Sequence, residues 1–136
     1  MAKTANILYS LLSTNASVTA IVGSAIYPNT IAQRQQRPCL VYQLIATTPY
    51  NTAGANGSAK LTQYRVQVTC ISKTKTQCDN LADAVISALD YQVNVTVAGF
   101  KVDNIKYIGE FDYYDNSSDQ DGLYIIELDF YIYTKI

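Results

Sequence analysis

Residues 60–89, KLTQYRVQVTCISKTKTQCDNLADAVISAL, pass from a period of two to a helical period within a few positions, and that change decides the fold class. Tyr64, Val66, Val68 and Cys70 fall on one side of an extended chain, with Arg65, Gln67 and Thr69 on the other. This spacing predicts a strand with one face in a core. Thr74 followed by Gln77 makes a capping box, in which the hydroxyl accepts from the Gln77 amide and the Gln77 side chain reaches back to Thr74. A helix is expected to start there. Cys78, Leu81, Ala82, Val85 and Leu89 then recur on one face, while Asp79, Asn80, Asp83 and Ser87 take the other. Full burial contributes about 1.5–3 kcal/mol for each large side chain, so most of this helix's stability is tertiary.

On the N-terminal side, Ile7, Leu8, Leu11 and Leu12 form a narrow apolar stripe that predicts a short helix over 4–12. A second helical turn is expected over 18–22, with Gly23 placed to end it in the left-handed conformation. Tyr27 and Pro28 close a brief extended piece. QRQQR at 33–37 is a polar loop, and Pro38 biases Arg37 away from helix. CLVYQLIAT at 39–47 is apolar on both faces for part of its length, which predicts a central strand. TPYNTAGANGSA at 48–59 carries no charge and reads as a long loop.

Beyond the helix, Val93, Val95 and Val97 alternate with Asn94 and Thr96, predicting a strand over 91–97 and an Ala98-Gly99 turn. Residues 101–107 look extended, with lysines suited to an edge. FDYYDNSSDQ at 111–120 reads as an acidic loop containing tyrosines. The longest strand is expected over 123–134, with Tyr124, Ile126, Leu128, Phe130 and Ile132 on one face and Glu127, Asp129, Tyr131 and Tyr133 on the other. No internal repeat or linker divides 1–136. The order of elements predicts a single α+β domain: a mainly antiparallel or mixed sheet of four to five strands, with two principal helices packed on one face.

At 136 residues with 15% charged side chains, the chain is long enough and apolar enough to fold as one globular unit. No apolar run approaches the roughly 20 residues needed to span a bilayer, so no membrane partner is expected. The N-terminus lacks the apolar core and cleavage site of a secretory signal, which places synthesis in the cytoplasm and leaves the Asn-x-Ser/Thr sequons without meaning. Cys39, Cys70 and Cys78 are odd in number and sit at apolar positions, as buried free thiols would.

The formal net charge of −1 conceals an asymmetry. No acid precedes Asp79, where Lys3, Arg34, Arg37, Lys60, Arg65, Lys73 and Lys75 stand alone. All eleven acids follow, against Lys101, Lys106 and Lys135. Either the two halves interleave and cancel within one molecule, or the protomer is self-complementary and its basic patch meets a neighbour's acidic one.

The search for chemistry is mostly negative. There is no histidine, which removes the commonest general base and metal ligand. Neither glycine-rich phosphate cradle is present, and three scattered cysteines make no zinc site. Ser117, Asp119, Asp121 and Gly122 imitate part of a calcium loop, but Leu128 stands where its bidentate Glu belongs. No catalytic residue, cofactor or metal is expected. The balanced charge and the absence of a clustered basic helix argue against sequence-specific DNA binding.

The order of these features resembles the tail terminator, or tail-completion, proteins of long-tailed bacteriophages. The resemblance rests on SVTAIVGSAIYP at 17–28, RPCLVYQLIAT at 37–47 and the Gly/Asn-rich loop. It continues through YRVQVTCIS, LADAVISAL and the closing strand LYIIELDFYIY; the acidic loop before that strand has no counterpart. It implies a homo-oligomer, a hexameric ring that stops the tail tube at its correct length. One face would meet the tail tube protein and the other the head connector, at the head-proximal end of the virion tail. DNA would pass through the lumen without being read. Two alternatives stay open: another neck or tail-tube component, or a small-molecule-binding α+β domain. For the subunit or partner interface the candidates are Arg34 and Arg37 on the basic side. Asp112, Asp115, Asp119 and Asp121 are the acidic candidates, although these acids would equally serve to line a lumen. Tyr50, Asn51 and Asn56 of the uncharged loop and Tyr113 and Tyr114 of the acidic one complete the set.

Overall fold

The computed structural model describes residues 2–28, 38–49, 61–115 and 122–135. In chain order the elements are α1 (Ala2–Ser13), α2 (Ala16–Val22), β1 (Ile26–Pro28), β2 (Cys39–Pro49), β3 (Leu61–Ser72), α3 (Lys75–Leu89), β4 (Val93–Val97), β5 (Phe100–Asp115) and β6 (Leu123–Lys135). The strands form one six-stranded sheet in the order β1-β2-β3-β6-β5-β4, parallel only between β1 and β2. The fold is α+β with a mixed sheet, broader than the four to five strands expected from the sequence. The added strand is β1, too short and too close to Pro28 to show a period.

The helices cover one face of the sheet. Tyr64, Val66, Val68 and Cys70 of β3 and Ile126, Leu128, Phe130 and Ile132 of β6 are buried together with Cys78, Leu81, Val85 and Leu89 of α3. Helix α3 lies across β3, β6 and β5, and α1 reaches from β1 and β2 to β4. Contact between one helix and both ends of the sheet requires the sheet to curl, as strand twist promotes. Asn15 caps α2, its Oδ1 accepting from the Ser17 and Val18 amides at 3.0 and 3.1 Å. Gly23 ends that helix with φ 61°, while its N–H donates to the Thr19 carbonyl. Among the described residues no single helix is long and apolar enough to cross a membrane, and α1 and α2 meet at 84°.

The start of α3 follows half of the capping box. Thr74 Oγ1 accepts from the Gln77 amide at 3.3 Å. The Gln77 side chain does not return to Thr74; it accepts a 2.6 Å bond from the buried Ser72 hydroxyl, whose oxygen accepts from the Thr74 N–H at 3.3 Å. Ser72 therefore relays the second half of the box. Thr74→Ala should cost about 1 kcal/mol. Ser72→Ala should cost more, on the order of 1–3 kcal/mol, because it leaves a Gln77 oxygen and a backbone donor without their partner. Urea melts of both variants check the order, and equal losses would mean the relay is unimportant.

Three expectations about the later strands are corrected. Residues 101–107 are not a free edge, because β4 pairs outside them as far as Asn104, Asp90, Tyr91 and Gln92 bond to Ile105 and Tyr107 beyond it, and β6 lies inside. The stretch FDYYD is not loop; it is the end of β5, paired with Leu123–Glu127. Aromatic side chains alternate there onto both faces, which hides the period of two. Tyr91 is not in a strand but in the turn before β4, with φ 62°. Strand β2 also runs on to Pro49, past a bulge at Ile45 after which its residues are exposed.

All three cysteines are buried, and none is in a disulfide. Burial pushes Cys70 well above the ordinary thiol value and moves Cys78 from 9.0 to about 11. A native state that holds its proton longer than the unfolded chain is fully favoured below pH 9 and loses that advantage as pH rises towards 11. Stability should therefore fall across this window. A disulfide reagent at pH 8 should label the cysteines only as fast as the protein unfolds; immediate labelling would contradict their burial.

Candidate assembly surface

The sheet face opposite the helices carries a polar network. Asp129 on β6 accepts from Arg65 Nη2 at 2.9 Å and from Gln67 Nε2 at 3.2 Å, and Gln67 Oε1 accepts from Gln43 Nε2 at 3.1 Å. Gln63 donates to the Tyr133 hydroxyl at 2.9 Å, and the Tyr113 hydroxyl donates to Glu127 at 3.4 Å. Cross-strand pairs of this kind fix register on a face that no helix covers. Arg65 and Asp129 lie in opposite halves of the sequence, so part of the charge asymmetry cancels inside the protomer. Lys75 does the same with Asp79 at 3.0 Å and Asp112 at 3.3 Å. These exposed pairs are screened by water and salt and add little to stability.

Of the expected interface residues, Asp112, Tyr113 and Tyr114 are brought together on β5. Asp112 and Tyr114 point to the helix side, where they line a groove of about 210 Å³ with Lys75, Tyr124 and Ile126. Tyr114 packs on Tyr124 with ring centroids 4.8 Å apart and lies directly over Gly122, where a Cβ would overlap its ring and hydroxyl. Tyr113 is on the open face beside Phe111, at 5.5 Å between ring centroids. Asp115 ends the strand, and its side chain lies outside the described residues, as do Arg34, Arg37, Tyr50, Asn51, Asn56, Asp119 and Asp121.

Sequence reasoning missed the exposed apolar surface. Phe111 is 63% exposed, Tyr91 84% and Val93 51%, with Ile45 at the far side of the sheet. Tyr91 is held in its left-handed turn by its N–H to the Ile105 carbonyl and lines a hollow with Asp90, Lys106 and Tyr107. Asp90 Oδ1 accepts from the Tyr107 amide at 3.1 Å. Burial and a hydrogen bond to Glu110 raise the Tyr107 hydroxyl to about 12, so it stays protonated. Among the described residues no three His, Cys, Asp or Glu side chains gather to hold a metal. Among the described residues the arrangement offers aromatic and polar surfaces of the kind proteins bind.

A solved structure described as the virion of a native gene transfer agent particle has the same fold at TM-score 0.71, with 14% identity over 96% of this chain and 92% of that one. No curated protein sequence matches the chain. The family described as Tail completion protein gp17 matches residues 7–135, from α1 to the last strand, and the match spans every element of the sheet. The chain belongs to this family of phage tail-completion proteins, a structural family and not an enzyme one.

Proposed function

We propose that the protein assembles as a hexameric ring that caps the tail tube, ends its polymerisation and offers its other face to the head connector. The observation that carries this reading is the family match across the whole fold. The structural neighbour's place in a virion particle supports it, as does an exposed surface that includes Phe111, Tyr113, Tyr114 and Asp112. DNA passes through the lumen without sequence-specific contacts, and the ring sits at the head-proximal end of the tail.

Arg34 and Arg37 form the basic side of the subunit joint, and Asp112, Asp115, Asp119 and Asp121 the acidic side. Asp112 is already shared with Lys75 of its own chain, so the remaining acids carry more of the contact. Tyr50, Asn51 and Asn56, with Tyr113 and Tyr114, serve the faces that meet other tail proteins. Arg34→Glu with Arg37→Glu should weaken the hexamer, and raised salt should weaken it as well, because exposed pairs are screened within about 8–10 Å. Sedimentation across a salt series tests both points. A persistent monomer, or open-ended polymers, would contradict the ring, and hexamers unchanged in the double variant at every salt concentration would sink the charge joint.

A further inference from the structure

The two edges of the sheet are stepped, and the steps are complementary. Across the four long strands, Leu40, Cys70, Ile126 and Asp112 stand on one level; Val41, Thr69, Glu127 and Phe111 on the next; Tyr42, Val68, Leu128 and Glu110 on a third. Strand β1 lies outside β2 at just these levels, pairing Ile26, Tyr27 and Pro28 with Leu40, Val41 and Tyr42. Towards the other end, Thr48, Gln63, Tyr133 and Asn104 share a level, and Pro49, Thr62, Thr134 and Val102 another. There β4 lies outside β5, from Asn104 to Phe100. Among the described residues, no strand lies outside β5 at Glu110, Phe111 and Asp112, and none lies outside β2 beyond Tyr42.

Consider a second copy turned about an axis parallel to the strands, with one strand's width left between β5 and its β2, roughly 10 Å between the two. The first copy's β4 fills the upper part of that gap. The second copy's β1 fills the lower part. Strands β2 and β5 run in opposite directions within the sheet, and β1 runs parallel to β2, so this β1 lies antiparallel to β5. Ile26 then stands opposite Asp112, Tyr27 opposite Phe111, and Pro28 opposite Glu110. Pro28 lacks a donor but ends its strand, where proline is tolerated.

The step selects the occupant: β1 projects at the levels where β5 has no outer strand, and Ile26, Tyr27 and Pro28 bring no acid against Glu110 and Asp112. The open step also explains why Phe111 is left 63% exposed at its centre. We infer that the joint between copies is a shared sheet, in which β1 of one copy pairs antiparallel with β5 of the next around Tyr27 and Phe111. This rests on the ring reading and names the surface that closes it.

The test is directional crosslinking. Cα atoms of antiparallel partners are about 4.5–5.5 Å apart, within the span of a disulfide. A Tyr27→Cys chain mixed with a Phe111→Cys chain and oxidised should give a mixed dimer, and the double variant should give a ladder ending in a closed ring. The native thiols are buried and do not compete. Tyr27→Cys mixed with Thr96→Cys, on β4, should give no dimer. Separately, Phe111→Asp should weaken self-association at least tenfold while the monomer melts as before. Assemblies of the correct mass without the crosslink would overturn the shared sheet and leave the ring intact. Chains that stay monomeric at all concentrations would overturn both.

Discussion

The Val85→Asp chain should fail to fold. Val85 is fully buried at the centre of the α3 stripe, between Leu81 and Leu89, where the helix crosses β3 and β6. A carboxylate there has no partner among the surrounding apolar side chains. It must stay ionised at high cost or take up a proton, and either costs several kcal/mol against a total stability of typically 5–15 kcal/mol. Packing cannot relax away from it, because α3 also contacts α1 and α2. The expected result is insoluble protein, or soluble protein without a cooperative transition. A mutant that melts cooperatively near the wild-type temperature would show that α3 is not docked through this face.

Phe130→Ala should be the most damaging truncation that still leaves a folded chain. Phe130 is fully buried on β6, paired with Val66 on one side and Tyr107 on the other, and its ring lies 5.5 Å from that of Tyr107. Removing it leaves a cavity in the middle of the sheet, which typically costs about 3–5 kcal/mol. The surrounding strands are held by ladders on both sides and cannot close the space. Phe130→Leu should recover most of the loss. Denaturant melts measure both, and a loss below 1 kcal/mol for the alanine variant would mean that the core collapses there.

Where one face of an element is buried and the other is not, the sequence reports the fold directly. The stretch 64–89 is such a case: its buried and exposed positions follow its two periods, and so do those of β6 from Ile126 on, whereas Leu123 and Ile125 are buried and Tyr124 is half-buried. The end of β5 was illegible because Phe111 and Tyr113 lie on one face and Tyr114 on the other, so no alternation of polarity marks it. Strand β1 was legible only as a brief extended piece, and its place in the sheet was not, because three residues ending in proline carry no period. Ser72 was not recognised in the cap, since its role depends on where the β3 chain turns into α3 and not on spacing. The candidate assembly residues divide in the same way. Asp112, Tyr113 and Tyr114 were identifiable as charged or aromatic residues outside any stripe. The stepped edges of β2 and β5 follow from strand order, which depends on contacts far apart in sequence. Tyr91 offered one signal, its position directly after a helix end at Asp90 and before a valine-rich strand, but its left-handed backbone is set by the bond to Ile105.

If the proposed ring ends the growth of the tail tube, particles assembled without the protein will show it by electron microscopy. The expected result is tubes of irregular, excessive length that carry no head, and the addition of purified protein should restore joining only to tubes it has capped. Tails of normal, uniform length joined to heads in its absence would contradict the account.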